Sequence, residues 1–318
     1  MKPQSSNLIG ISSAVGASVF FTVNDTVIKF LSGDYALHQV ILIRSIFALL
    51  FLSVILMPLM GGAKHLRTNR LPVHLLRGVF VVLANMSFFL GLAAMPIASA
   101  TAIFFISPLV ITGFSVIFLK EHVGARRWAA VFVGFLGVII IVRPGSESFQ
   151  MAALLPILAA FFIAGLHTLT RRIGNTESAL TMAFYIQLIF IIVSAIFGLT
   201  LGQGGFGNAS TPWLDFLTRA WPAFDWGDLW LFIIVGAVSA GAGFLISQAY
   251  RLCEAGLVAP FDYIALPLSV MWGWLIFDEW PDLFAWLGIS LIIASGLYMA
   301  WREALSGRRI AGNRPTRR

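Results

Sequence analysis

Residues 118–142 read FLKEHVGARRWAAVFVGFLGVIIIV, and residues 276–300, offset by 158 positions, read IFDEWPDLFAWLGISLIIASGLYMA. Each copy runs an apolar stretch into a carboxylate, Glu121 or Glu279, then reaches a tryptophan, Trp128 or Trp286, and a Gly-bearing apolar span. The likeness continues upstream, where Ala100–Pro108 parallels Ala259–Pro267 with one residue of slippage. Fainter echoes set Asp25 against His167 and Arg44 against Gln187. The chain reads as two copies of one unit.

What surrounds the units is settled by composition. Of 318 residues, 59% are hydrophobic and 11% charged, with a mean hydropathy of +0.90. Soluble domains carry roughly 25% charged residues, so a soluble globule, a disordered chain and a nucleic-acid module are excluded together. A spanning helix needs about 20 apolar residues. Ten such blocks are legible, at 8–31, 38–60, 73–95, 98–119, 126–143, 151–170, 178–201, 228–251, 255–277 and 281–302. The expected fold is an all-α polytopic membrane protein. Its parts are residues 1–7, a first five-helix repeat over 8–143, a second over 151–302, and a short basic tail, 303–318, read as disordered. Five is odd, so the second copy lies upside down relative to the first. Inverted repeats of this kind build secondary transporters, with the substrate near the midplane between the halves.

The basic residues orient the chain. With the N-terminus on one side, 17 of the 21 Lys and Arg residues fall on that side, and Arg143 and Arg219 alone on the other. Lys29 and Arg44 lie within spans. The positive-inside rule makes the first side cytoplasmic, with both termini inside. The net charge of +7 is therefore a matter of topology, not of a nucleic-acid partner. Cys253, the one cysteine, excludes an internal disulfide and any cysteine metal site. The apolar run from Leu8 has no cleavage pattern and reads as a retained first helix. The 202–227 segment, with Trp213, Trp221 and Trp226 beside Asp215 and Asp225, reads as an interfacial flap. Its Asn208-Ala-Ser sequon is too short to weigh.

The two 25-residue motifs, together with the five-plus-five pattern from about Leu8 to Trp301, resemble the EamA family of the drug/metabolite transporter superfamily. The segments VNDTVIKFL (23–31) and HQVILIRSIFALL (38–50) look most like its branch of bacterial riboflavin or S-adenosylmethionine uptake carriers. The resemblance implies a ten-helix carrier of the bacterial inner membrane, working by alternating access without ATP or a cofactor. It implies a small polar or aromatic metabolite as partner, riboflavin first, with S-adenosylmethionine or amino-acid carriage as alternatives. Monomer and homodimer both stay open.

Mid-span ionisable groups cost about 2.5–3.5 kcal/mol each on insertion scales. Four stand out: Asp25 and Lys29 in the first span, Arg44 in the second and Asp262 in the ninth. Asp25 and Lys29 are four apart and can pair on one helix face, which would make them a structural lock. Alternatively the strip lines a cavity, where a substrate group docks on Lys29 or Arg44. Asp262, beside Tyr263 and between Pro260 and Pro267, can carry a proton, or pair with Arg44 across the bundle. Asn85, His167, Gln187 and Gln248 are neutral mid-span groups, explained by interhelical hydrogen bonds or by substrate contact. Phe104, Phe105, Tyr185, Tyr263, Trp272 and Trp274 could wall a planar ligand. Glu121, Glu279, Pro108 and Pro267 are repeat-matched and read as structural, the glutamates capping the next helix. The small-residue run Gly236–Gly243 permits close helix approach.

No phosphate-binding loop, H-E-x-x-H or G-x-S-x-G motif and no metal-spaced cluster occurs, so neither catalytic nor metal residues are assigned. A channel would show a repeated pore segment, and none is visible. An intramembrane enzyme using Asp25 and Asp262 as an acid/base pair is the competing class.

Overall fold

The computed structural model describes the backbone of residues 3–59, 62, 68, 70–119, 124–145, 150–173, 179–203, 211–252 and 261–312. Every regular element among them is helical. The helices are α1 (Pro3–Leu31), α2 (Leu37–Phe51), α3 (Leu71–Ala94), α4 (Ile97–Phe104), α5 (Ser107–Leu119) and α6 (Ala125–Val142). They continue with α7 (Leu154–Ile173), α8 (Ala179–Leu201), the short α9 (Pro212–Thr218), α10 (Leu229–Leu252), α11 (Ala265–Phe277) and α12 (Leu283–Gly312). Among the described residues five segments are individually long and apolar enough to cross a membrane: Leu8–Leu31, Leu37–Leu59, Leu71–Ala94, Leu180–Leu201 and Trp226–Ile246. Five shorter apolar helices lie among them, at Ile97–Ile111, Trp128–Val142, Met151–Leu166, Ala265–Phe277 and Leu283–Met299. Leu50, Val54, Phe132, Leu199 and Trp274 are exposed on the outside of the bundle, as a chain bathed in lipid rather than water requires.

Three departures from the sequence reading have local causes. The span expected over 98–119 is broken at Phe105–Ile106, because Pro108 has no N–H to give and its ring would clash with the carbonyl of Phe104. α2 widens into a π-helical stretch, Leu52–Leu56, before Met57–Leu59, and Pro58 supplies the same cause one turn later. The tail read as disordered from residue 303 is helical as far as Gly312. Arg302, Glu303, Ala304 and Leu305 are strong helix formers, and they carry the last span onward. Glu121, Cys253, Pro260 and the sequon lie outside the described residues, as does the side chain of His167.

Helix pairing follows the small residues. α10 lies along α1 and α2, α3 along α7, α2 along α8, α6 along α12, and α4 meets α11. A Cβ on Gly236 would stand 2.4 Å from Phe47 Cβ and 3.0 Å from the Arg44 carbonyl, and one on Gly241 would strike the Phe20 ring. The glycines expected to permit close approach therefore do so at α2 and α1. At the α6–α12 crossing the backbones touch: a Cβ on Gly137 would lie 2.8 Å from Gly288 O, and one on Gly288 2.6 Å from Gly137 O.

The segment expected as an interfacial flap is pinned at the C-terminal end of α1. Phe216 of α9 is fully buried, and Trp213 packs on the core, while Trp226 stays 78% exposed. Tyr35 Oη donates to Asp228 Oδ2 at 2.7 Å and accepts from Asp225 N–H at 3.2 Å. Gln39 donates to Pro222 O, Arg219 to Gly33 O at 2.6 Å and to Asp215, and Trp221 Nε1 to His38 Nδ1. Burial first, then the neighbouring Asp228, raises the Tyr35 phenol above its ordinary value, so it remains a hydrogen-bond donor to that carboxylate.

Candidate functional site

The two helix breaks face each other. α4 and α5 are interrupted at Phe105–Ile106, ahead of Pro108. In the second copy a turn at Tyr263–Ile264 precedes α11, with Pro267 in its first turn. The rings of Phe105 and Tyr263 meet with centroids 5.1 Å apart. The Tyr263 hydroxyl fits against the bare backbone of Gly296, where any Cβ would collide with it. Pro108 and Pro267 thus each remove backbone hydrogen bonds close to the point where Phe105 and Tyr263 touch.

Beside α1 a charged cluster lies within the bundle. Arg44 is 2% exposed, and its guanidinium stands over Phe89 of α3 at 5.5 Å and Phe190 of α8 at 5.1 Å from the ring centroids. Its Nη1 donates to Asn24 Oδ1 at 3.5 Å, and Asn24 Nδ2 donates to Asp25 Oδ1 at 3.1 Å. Asp25 is the carboxylate that acts electrostatically on Arg44. Arg44 therefore finds partners on α1. Arg44 Nε is buried with no hydrogen-bond partner among the described residues, as are Ser45 Oγ, next in sequence on α2, and Oε1 of Gln187, one turn from Phe190 on α8. Leaving such groups unpaired is costly, of order 1–3 kcal/mol each.

Lys29 does not take Asp25, four residues away. Its Nζ bonds both oxygens of Glu279, at 2.7 and 2.9 Å, and donates to Met95 O at 2.7 Å. Glu279 Oε2 also accepts the N–H of Ile97, the first residue of α4, at 3.1 Å. Glu279 was expected to cap the helix that follows it. It caps α4 instead, and Asp282 takes the following helix by accepting from Ala285 N at 2.8 Å.

The remaining candidates separate. Asn85 donates to Val81 O on its own helix at 3.0 Å. Gln248 and Asp262 are half-buried, and Tyr263 is buried. Trp272 Nε1 donates to Thr22 Oγ1 at 3.3 Å, tying α11 to α1 one turn from Asp25. Of the aromatic walls, Trp274 is 53% exposed and faces outward, Tyr185 stacks on His74, and Phe104 packs on Phe88. Phe89 and Phe190 were not singled out. Among 28 phenylalanines nothing in the sequence marks the two that meet Arg44.

Arg143 and Asp282 form a further ion pair, between the ends of α6 and α12. Arg143 holds a left-handed backbone, φ 50°. Its hydrogen bond keeps the Asp282 carboxyl below the ordinary range. A depressed carboxylate contributes stability above its unfolded value and loses it as pH falls through the folded one. Asp282→Asn is expected to remove a small, salt-sensitive part of the acid dependence of thermal stability, because the Asp282 side chain is 54% exposed. Melting curves between neutral and acidic pH check this.

Residues 8–143 match the model of the EamA-like transporter family. A riboflavin transporter of Vibrio cholerae is 32% identical over 92% of this chain and 93% of its own length. The chain belongs to the EamA-like transporter family. It is a multi-pass membrane protein, as the family and the apolar helices together require. Two further relatives of this EamA-like chain differ in cargo by name. An S-adenosylmethionine uptake transporter of Rickettsia bellii is 29% identical over 93% of this chain and 94% of its own length. A pseudopaline exporter of Pseudomonas aeruginosa is 29% identical over 90% and 94%. A solved crystal structure, 17% identical, superposes with a TM-score of 0.61 over 94% of this chain and 98% of the other, which speaks for the fold alone.

Proposed function

We propose that this chain is a secondary transporter that moves a small polar, aromatic metabolite across the bacterial inner membrane by alternating access, with riboflavin uptake as its activity. The observation that carries the reading is the buried Arg44 guanidinium, set between Phe89 and Phe190 with its Nε lacking a hydrogen-bond partner among the described residues. Ser45 Oγ and Gln187 Oε1, on the same α2 and on α8, are also buried without a partner among the described residues. A planar ligand edged with carbonyl and N–H groups would satisfy them, while its ring packed on the phenylalanines. In this reading Asp25, Arg44, Asn85 and Gln248 bind, Asp262 and Tyr263 couple substrate to the opposed helix breaks, and Lys29 with Glu279 governs access.

Ten spans in two inverted five-helix repeats fit the pairing of helices. Exchanging the copies turns the α1–α10 contact into α7–α3 and carries the α6–α12 and α2–α8 contacts onto themselves. Both termini are cytoplasmic on the distribution of charge, which puts Lys29, Glu279 and the flap on the outer side. Relatives named for riboflavin transport support the cargo. A second reading, S-adenosylmethionine uptake, is favoured by the half-buried Asp25 carboxylate, which suits a cationic ligand, and by the Rickettsia relatives.

Labelled riboflavin offered to bacteria that neither make nor import it tests the proposal. Saturable uptake that unlabelled riboflavin abolishes, and S-adenosylmethionine leaves intact, is the expected result. Competition by S-adenosylmethionine alone would move the assignment to the second reading.

A further inference from the structure

The Lys29–Glu279 pair spans the two copies, and Lys29 has a second carboxylate within reach. All three protons of its ammonium are spoken for, two on Glu279 and one on Met95 O, and the ring of Phe277 lies 5.0 Å away. Glu279 is held just as firmly. Asp278, in the left-handed conformation at φ 55°, turns the chain out of α11. The Glu279 N–H then returns to Gly273 O at 2.9 Å, and its Oε2 takes the Ile97 N–H. One side chain thus joins α1, the turn into α4 and the end of α11. Asp25 stands one helical turn before Lys29 on the same face. It accepts one hydrogen bond, from Asn24, and shares the field of Arg44, and its place on the same helix face makes it the next carboxylate for the ammonium.

We propose that Lys29 and Glu279 form a gate over the Arg44 cluster, and that Lys29 passes from Glu279 to Asp25 when the two copies part at this end. The handover keeps the ammonium paired throughout, so the gate can open without stranding a charge in an apolar surrounding. Breaking the pair also frees the first turn of α4, which leads to the helix break at Phe105. Opening of the gate and movement of the central aromatic contact are thereby mechanically joined.

The gate rests on the transporter reading for its purpose but not for its test. In the full chain carrying Cys253→Ser, Thr22→Cys reports access from each face of right-side-out and inverted vesicles to a membrane-impermeant thiol reagent. Glu279→Gln is expected to raise labelling from the Lys29 end at least about fivefold. The exchange Lys29→Glu with Glu279→Lys should return it only part-way to the parent rate, because the ion pair re-forms while Met95 O and the Ile97 N–H lose their partners. Asp25→Asn, which removes the second partner, should lower it below the parent. Glu279→Asp, expected to be intermediate, serves where Glu279→Gln inserts poorly. Equal labelling in every inserted variant would overturn the gate. So would failure of all of them to insert, which would make the pair a folding lock. Labelling needs no substrate, so a negative riboflavin result leaves this outcome untouched.

Discussion

Arg44→Met is expected to reduce substrate flux to below about 1% of the parent while leaving most of the protein in the membrane. Two decades of rate correspond to about 2.7 kcal/mol, a loss in reach for a buried, charge-assisted group that binds a polar edge directly. Methionine keeps the volume and flexibility of the stem, so the packing against Gly236 and the two phenylalanines is largely retained. What disappears is the planar cation, with its bond to Asn24 and its field on Asp25. Stability falls as well, because Asp25 is left without its compensating charge, and breaking a buried pair costs about 3–5 kcal/mol when the interaction is complete. The double variant Arg44→Met/Asp25→Asn should recover stability and not flux. Arg44→Lys separates charge from shape: an ammonium cannot lie flat between two rings and offer a fork of donors, so flux should stay low. Membrane abundance, melting temperature and initial rate of uptake are the three readouts.

Gly288→Val is expected to be the most destabilising single substitution outside that cluster. Its Cβ would lie 2.6 Å from the Gly137 carbonyl and 2.4 Å from Ile141 Cγ1. Relief therefore requires α6 and α12 to move apart as bodies, not one flexible side chain to swing. Overpacking costs typically 1–3 kcal/mol where side chains can adjust, and a backbone-to-backbone contact belongs at or above the top of that range. Gly243→Val, where a Cβ meets nothing within 4 Å, is the control and should melt close to the parent. Melting of the purified protein in detergent compares the two directly.

The fold was legible in the sequence wherever one physical constraint dominates. Apolar blocks of bilayer length placed the five long spans, and Gly236 and Gly241 marked where helices touch. The breaks at Pro108 and Pro267 were visible as prolines, though not that Phe105 and Tyr263 would meet across them. The site was harder. Arg44 and Asp25 announce themselves because a charge in the membrane needs a reason, but the reason lies in residues that announce nothing. Phe89 and Phe190 look like every other lipid-contact phenylalanine. Helical spacing allows Lys29 to pair with Asp25 or to face a cavity, yet Glu279 takes it from 250 residues away. Local spacing cannot see that pairing, because it depends on how the end of α11 packs against α1.

The most direct test of secondary transport through the Arg44 cluster is counterflow in proteoliposomes made from the purified chain, free of nucleotide and of any other protein. Vesicles loaded with unlabelled riboflavin should accumulate labelled riboflavin transiently and saturably, and vesicles carrying Arg44→Met should behave as empty ones do. Accumulation no faster than in empty vesicles, or an undiminished rate with Arg44→Met, would contradict the account.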